Sequence, residues 1–214
     1  TAAQYFHLLR RQMHRSVRKP LIVFTPKSGL RAKAYRSSVE QFTSGSFEEL
    51  LPDSSSIDPN GVERLVLTSG KIGHEAIHHR DSIGSTAAVA RVEQLFPWPY
   101  EAVADELSRY PNCKEIVWLQ EEPENMGPWN GIKGRLFEAH GDRCEIRRIS
   151  RSDSGPPATG KAAWEYFEPA GERMLDHPSI ARELPGTGDI LVVDDLRDRV
   201  LVIVSADHGG HGRR

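Results

Sequence analysis

The amino-acid sequence predicts an α/β fold of three layers with a mainly parallel sheet. Two patterns support this fold class: solid apolar runs of strand length, and helix-length stretches between them with apolar residues every three or four positions. Solid runs indicate strands that are buried on both faces, and strands that alternate with helices form a parallel sheet covered by helices on both sides. Gly, Pro and Ser at the junctions mark the turns.

A helix and a strand open the chain. An apolar face at the helical period, with arginines around it, predicts an amphipathic helix over residues 2–18. The apolar positions are Tyr5, Leu8, Leu9, Met13 and Val17. The run PLIVFTP at 20–26 predicts a strand that Pro26 ends. The stretch 44–61, rich in Ser, Asp, Pro and Gly, is expected to be a loop that links this opening unit to the rest.

The alternating elements follow from residue 62 onwards. Strands are expected at 62–70, 87–95, 113–122 and 144–150, and helices at 73–83, 99–110 and 127–140. A further helix is expected from about Lys161. The stretch 188–208 predicts two short strands around a polar turn, with a disordered Gly/His/Arg tail after them.

Composition excludes several classes of function. The net charge is -2 and 27% of residues are charged, so there is no basic excess to bind nucleic acid or a membrane surface. No stretch approaches the roughly 20 apolar residues that a bilayer crossing needs. Cys113 and Cys144 are far apart in the sequence and fit no paired ligand spacing. They are therefore expected to be packing residues, not a disulfide or a zinc site.

The segment HEAIH at 74–78 formally matches the HExxH signature of zinc hydrolases. In that signature two His one helical turn apart bind zinc, and the Glu acts as general base. Here the segment lies inside an α/β repeat, and no downstream Glu or His forms a recognisable third-ligand motif. Zinc hydrolysis through His74 and His78 is therefore the weaker alternative, and no metal site is expected.

Three other polar motifs have structural explanations. TSGK at 68–71 lacks the first Gly of a phosphate-binding loop, because Leu65 occupies that position. Glu121 and Glu122 are adjacent on a strand and point to opposite faces, which favours helix capping or pairing with an Arg over acid/base catalysis. ILVVDD at 190–195 resembles the first strand of response-regulator receivers, but too few residues follow, so an edge hairpin is expected.

Six stretches occur in order and together resemble one family. They are QYFHLLRRQ, KPLIVFTPKSGLR, LTSGK, ARVEQLFPWP, VWLQEEPENMGPW and PPATG. Over about residues 1–175 the chain resembles the C-terminal part of the thiamine-diphosphate-dependent decarboxylating component of 2-oxoglutarate dehydrogenase. The resemblance implies that 1–45 are the last helix and strand of a pyrimidine-binding domain with a linker. It further implies that 46–176 are a transketolase-type C-terminal domain, whereas 177–214 have no counterpart and are an extension.

The resemblance also implies the chemistry of the whole enzyme. That enzyme decarboxylates 2-oxoglutarate oxidatively in the tricarboxylic acid cycle and transfers the succinyl group to a lipoyl-bearing succinyltransferase. Its thiamine diphosphate and magnesium are held by residues that precede this stretch of the family. This chain is therefore expected to contain no catalytic or cofactor-binding residue and to be inactive alone. Its expected roles are dimerisation, assembly or regulation.

An effector site is a further implication. Part of the family binds acetyl-CoA between the opening helix and the C-terminal domain, and Arg11 and Gln94 match residues of that pocket. Other positions of the pocket, where cationic or small donor residues are expected, hold Ser46, Glu49, Tyr100 and Glu101. Acidic side chains repel the phosphates of coenzyme A. Weak or absent acetyl-CoA binding is therefore expected.

The expected partners are a second copy of the chain and the succinyltransferase and dihydrolipoyl dehydrogenase components of the complex. The expected compartment is the cytoplasm in a bacterium or the mitochondrial matrix in a eukaryote. Two alternatives remain beside the zinc hydrolase. The first is the closely similar 2-oxoadipate enzyme, and the second is a free-standing, non-catalytic assembly module.

Overall fold

The structure, a computed structural model, describes residues 1–16, 19–23, 29 and 32–155, together with the backbone of 188–192 and 203–207. The helices of these residues are α1 (Ala2–His14), α2 (Val39–Thr43), α3 (Lys71–Ile83), α4 (Tyr100–Ser108) and α5 (Trp129–His140). The strands are β1 (Leu50–Leu51), β2 (Arg64–Thr68), β3 (Ala88–Val92), β4 (Glu115–Pro123), β5 (Glu145–Arg151), β6 (Gly188–Val192) and β7 (Ile203–Asp207). Two 3-10 turns cover Lys33–Tyr35 and Pro59–Gly61.

Five strands form the main sheet in the order β1-β3-β2-β4-β5. β2 pairs in parallel with β3 and β4, and β4 pairs in parallel with β5, whereas the two residues of β1 run antiparallel to β3. The central strand is β2, flanked on both sides by strands that helices connect. This arrangement confirms the predicted α/β fold with a mainly parallel sheet.

Apolar layers cover both faces of the sheet. β4 shows the alternation: Ile116 and Trp118 pack with residues of α4 and α5, whereas Val117 and Leu119 pack with residues of α3. Strand side chains alternate between faces, so a continuous apolar run supplies both layers at once. The helices on the two faces make the three layers that the sequence predicts, and each large buried side chain contributes about 2 kcal/mol.

The first helix is confirmed over Ala2–His14 and ends before Arg15, short of the expected end at 18. Its polar side contacts the rest of the described chain. Gln4 and His7 are buried; the Gln4 amide donates to Glu48 O at 2.7 Å, and His7 Nε2 lies 2.7 Å from Gln41 O. The apolar side is exposed, with Tyr5 at 46% and Met13 at 67% of their full accessibility. The face that the sequence marks as apolar is therefore not the face that packs against the described chain.

Some predicted elements differ in the structure. The strand expected at 20–26 is wrong for residues 20–23, which lie outside any strand. A β-strand needs backbone hydrogen bonds to a neighbouring strand. In the described part of the chain no strand pairs with residues 20–23. The rest of that prediction, at 24–26, and the helix expected from Lys161 lie outside the described residues. The two late strands are confirmed by the backbone as an antiparallel pair, β6 with β7.

The stretch 44–61 is more ordered than a loop. It contains β1 and a 3-10 turn, and Asp53 within it is buried. Asp53 pairs with buried Arg80 of α3 and accepts hydrogen bonds from the backbone N–H of Val89 at 2.6 Å and of Ser55 at 2.7 Å. The carboxylate thus joins the stretch to α3 and β3. None of the helices in the described residues has both the length and the apolarity that a bilayer crossing requires.

Candidate functional site

The two residues of the expected effector site lie in direct contact. Arg11, on α1, donates from Nη1 to Gln94 Oε1 at 2.7 Å. Gln94, just after β3, is buried and donates from its amide to Glu49 Oε1 at 2.9 Å and to Pro97 O at 3.1 Å. The Arg11 guanidinium also lies over the ring of Phe47, 3.9 Å from its centroid. The sequence prediction therefore brought together two residues that are 83 positions apart.

The charge of this cluster is nearly balanced. Burial, followed by the charge of the neighbouring Arg15, lowers the pKa of Arg11 to about 10, and the Glu49 carboxylate acts in the opposite direction. Glu49 is exposed at the rim, while Arg11 is half-buried. The cluster thus holds one guanidinium, one amide and one carboxylate, and the carboxylate weakens the attraction of the guanidinium for any anion.

The other positions of the expected site surround this cluster only in part. Ser46 is exposed and its hydroxyl donates to Glu48 Oε1 at 3.4 Å. Tyr100 and Glu101 open α4, after the turn that contains Pro97, and both are exposed. Together with Glu49, these residues occupy four positions of the expected site, and none of the four is cationic. The geometry can hold α1 against the domain, and it offers few donors to a phosphate.

His74 lies in a different environment from a zinc ligand. Its ring stacks at a tilt on Tyr35, with centroids 4.2 Å apart, and the Arg91 guanidinium contacts the ring nitrogens. Burial, followed by the charge of Arg91, lowers the pKa of His74 to about 3. A guanidinium in contact with the imidazole opposes a second cation there. Gly73 permits the approach, because a Cβ at that position would lie 2.8 Å from Arg91 Cδ.

The rest of HEAIH is separated from His74. His78 is exposed, and Glu75 pairs with Lys71, whose Nζ lies 3.4 Å from Glu75 Oε1. Burial raises the pKa of Glu75. Within the residues that the structure describes, no three His, Cys, Asp or Glu side chains form a group suited to a metal ion. The arrangement therefore favours a structural helix over the zinc alternative.

The polar end of β4 organises the turn into α5. Gln120 accepts from the backbone N–H of Trp129, the first residue of α5, at 3.1 Å. Its amide donates to Pro123 O at 3.0 Å and Met126 O at 2.9 Å. Arg151 pairs with this end through a bond from Nε to the backbone oxygen of Glu121 at 2.9 Å. Both Glu121 and Glu122 are buried within β4.

Sequence reasoning missed Arg91 and Gln120, although each carries a signal. Both are polar residues inside apolar strands that are buried on both faces, and a buried polar side chain needs specific partners. Arg91 contacts His74 on the preceding helix, α3, and Gln120 bonds to the turn after its own strand. The contact of Arg91 with His74 cannot be read from the sequence, because it depends on how α3 crosses the sheet.

Comparison with protein-family profiles decides what kind of domain this is. Residues 36–175 match the profile described as 2-oxoglutarate dehydrogenase C-terminal. The chain belongs to the 2-oxoglutarate dehydrogenase C-terminal family. This membership confirms the resemblance on which the six sequence stretches agree. The match contains every strand of the main sheet, and α1 precedes it.

Individual relatives of this family extend the match. The chain is 42% identical over 161 residues to a 2-oxoglutarate dehydrogenase E1 component of Cupriavidus necator, covering 75% of this chain and 17% of that protein. It is 42% identical over 167 residues to the corresponding protein of Azotobacter vinelandii, covering 76% and 18%. A 2-oxoadipate dehydrogenase complex component E1 of Xenopus laevis is 44% identical over 164 residues, covering 75% and 17%. The matched part of the chain thus spans less than a fifth of the length of these relatives.

Proposed function

We propose that the chain serves as the C-terminal domain of a 2-oxoglutarate dehydrogenase E1 component. In this proposal the complete protein decarboxylates 2-oxoglutarate with thiamine diphosphate and magnesium and passes the succinyl group to the succinyltransferase. The observation that carries the proposal is the family match over 36–175, together with relatives named for this activity. The chain works in the cytoplasm of a bacterium or the mitochondrial matrix of a eukaryote.

The domain itself supports the enzyme without performing its chemistry. This part of the proposal is favoured by the contacts of the polar side chains at the carboxyl ends of the strands. Arg91 contacts His74, and Gln120 bonds to the turn before α5, so these groups hold the domain together. We infer that its share of the function is dimerisation and assembly with the succinyltransferase and dihydrolipoyl dehydrogenase components.

A domain exchange tests the proposal. In the Azotobacter vinelandii relative, the 167 matched residues are replaced by those of this chain. We expect the chimera to decarboxylate 2-oxoglutarate in the presence of thiamine diphosphate and magnesium, and we expect the isolated 214-residue chain neither to turn over 2-oxoglutarate nor to bind thiamine diphosphate. Turnover by the isolated chain, or a folded chimera without activity, contradicts the proposal.

The same exchange addresses the 2-oxoadipate alternative. The matched residues of the Xenopus laevis relative are replaced in parallel. If substrate choice is made outside this domain, each chimera keeps the preference of its host for 2-oxoglutarate or 2-oxoadipate. A substrate preference that changes with the exchanged domain would show that the domain influences substrate choice. The 2-oxoadipate alternative could then be tested by the preference that this chain confers.

The effector cluster is proposed to bind acetyl-CoA weakly or not at all. Glu49 accepts from Gln94 and offsets the charge of Arg11, so the cluster gives little net attraction to the phosphates of coenzyme A. Titration calorimetry with acetyl-CoA is expected to show no micromolar binding. Glu49→Gln keeps the shape and removes the charge, so it should bind acetyl-CoA more tightly than the matched variant Glu63→Gln, which changes an exposed carboxylate elsewhere. Micromolar binding by the unaltered chain contradicts the proposal.

A further inference from the structure

Two cysteines lie at the start of adjacent parallel strands. Cys113 precedes β4 by two residues and Cys144 directly precedes β5. The strands pair from Glu115 opposite Glu145, which places Cys113 and Cys144 one residue out of register. Parallel neighbours lie about 4.8 Å apart and rise about 3.3 Å per residue, so a stagger of one residue separates the Cα atoms by about 6 Å. Disulfides span Cα separations of about 4.4–6.8 Å.

Both thiols lie in the same part of the core. Cys113 is 5% exposed and Cys144 is 3% exposed, and both belong to the apolar layer between the sheet and helices α4 and α5. The Cys144 thiol donates to the backbone oxygen of Cys113 at 3.4 Å, and the Cys113 thiol donates to Glu115 O at 3.3 Å. The side chain of one cysteine thus reaches the backbone of the other. Both are free thiols in the structure.

The two turns that carry the thiols are tied together. Arg143 donates from Nη2 to Tyr110 O at 2.7 Å and to Leu107 O at 3.3 Å, so the turn before β5 is bonded to the turn before β4. Cys113 N donates to Tyr110 O at 3.2 Å within the same network. These contacts keep the thiols adjacent in the folded chain, which removes most of the loop-closure entropy from their reaction.

We propose that Cys113 and Cys144 are a peroxide-sensitive pair that closes into a disulfide and joins the start of β4 to the start of β5. The oxidant is hydrogen peroxide. The Cys144 thiolate attacks one peroxide oxygen, the O–O bond breaks, and the leaving hydroxide takes a proton to become water. The Cys113 sulfur then attacks the resulting Cys144 sulfenic acid, the S–O bond breaks, and a second water leaves. Two thiols lose two electrons, and one hydrogen peroxide becomes two waters.

The order of attack follows from the surroundings of each sulfur. Burial raises the pKa of both thiols, and that of Cys113 reaches about 11. The charge of Arg143 acts in the opposite direction on Cys144, so Cys144 is the first nucleophile. Because both thiols are protonated at neutral pH, the pair reacts more slowly than an exposed cysteine.

Mass spectrometry of the 214-residue chain in native buffer tests the proposal. After hydrogen peroxide treatment the chain is unfolded and alkylated. We expect a species that has lost two hydrogens, takes up no alkyl group, yields a linked peptide containing both cysteines, melts at higher temperature, and is restored by dithiothreitol. Cys113→Ser should instead leave a Cys144 sulfenic acid that dimedone traps. The unaltered chain decides the question even if that variant fails to fold.

Met13 provides an internal gauge of oxidation, because its side chain is 67% exposed and forms the sulfoxide directly. The proposal is overturned if Met13 is fully oxidised while both cysteines are still alkylated. It is also overturned if the disulfide forms only between chains, or only after the protein has been unfolded.

Discussion

Replacing Asp53 by Asn should destabilise the domain far more than an ordinary change of one surface charge. The Asp53 and Arg80 side chains are only 2% and 3% exposed, and their ion pair joins the stretch before β2 to α3. In Asp53→Asn one carboxylate oxygen becomes an NH2 group. At the Oδ2 position that group faces both the Arg80 guanidinium and the Val89 N–H, and at the Oδ1 position it faces the Ser55 N–H. All three are donors that need an acceptor.

The magnitude follows from the burial of Arg80. Removing one partner of a buried ion pair costs about 3–5 kcal/mol, because the other charge is left without compensation. Arg80 keeps one further carboxylate, Asp81, whose oxygen lies 2.8 Å from Nη2 and whose side chain is 61% exposed. This remaining pair places the expected loss at the lower end, about 3 kcal/mol. A domain of ordinary stability has about 5–15 kcal/mol in total.

Urea unfolding followed by circular dichroism measures the loss. The matched control is Glu63→Gln, which removes a pair of 2.7 Å with Lys114 whose side chains are 67% and 72% exposed. That change should cost about 0–1 kcal/mol. The double variant Asp53→Asn with Arg80→Gln should recover part of the loss, because no buried charge remains. If Asp53→Asn and Glu63→Gln cost the same, or the double variant costs the sum of the two single changes, burial is not the cause.

Three further predictions concern other buried contacts. The pKa of His74 is lowered to about 3, so the folded chain resists its protonation and the free energy of unfolding should fall as pH drops from 6.5 towards 3. His74→Gln should remove up to about 1.4 kcal/mol per pH unit of that slope, and His78→Gln, an exposed change, should not. Gly127→Ala should cost about 1–3 kcal/mol in urea unfolding, because φ is 69° and the new Cβ would lie 2.9 Å from a glutamate oxygen. Gly131→Ala, with open space inside α5, should instead gain about 0.5–1 kcal/mol. Tyr110→Phe removes a buried bond of 2.8 Å to a carboxylate and should lower stability by about 2 kcal/mol; a loss below 0.5 kcal/mol would contradict its role.

The repeating part of the fold was predictable because its signals are local. β2 to β5 and α3 to α5 each combine an apolar run or a helical period with clear turn residues. Each of these elements can therefore be recognised from its own residues alone. β1 was missed because two residues cannot show a period. The strand expected at 20–26 is wrong for residues 20–23, although the apolar run there is clear. An apolar run predicts burial, but a strand also needs a neighbouring strand to pair with.

The polar contacts also fall into those that the sequence analysis named and those that it missed. The resemblance to a family named Arg11 and Gln94 as residues of an effector site, and the structure places these two side chains in contact. The pairing of Asp53 with Arg80 joins residues 27 positions apart and depends on how α3 crosses the sheet. No period, spacing or turn signal encodes that crossing. A buried charge is visible in the sequence only as an ordinary polar residue in a polar stretch, because its burial is a property of the assembled layers.

The contacts of the polar groups agree with the supporting role that we propose for this domain. A catalytic side chain must give up existing hydrogen bonds when it contacts the substrate. The cost is low when it gives up a bond to water or a single weak bond to the protein. Gln120 makes hydrogen bonds to Trp129 N, Pro123 O and Met126 O, so displacing it would release the start of α5. Arg91 is 9% exposed and is held against His74. Changes at Gln120 or Arg91 should therefore lower the unfolding free energy of the domain first. In the domain-exchange enzymes, they should reduce the amount of folded protein and leave kcat per folded molecule unchanged.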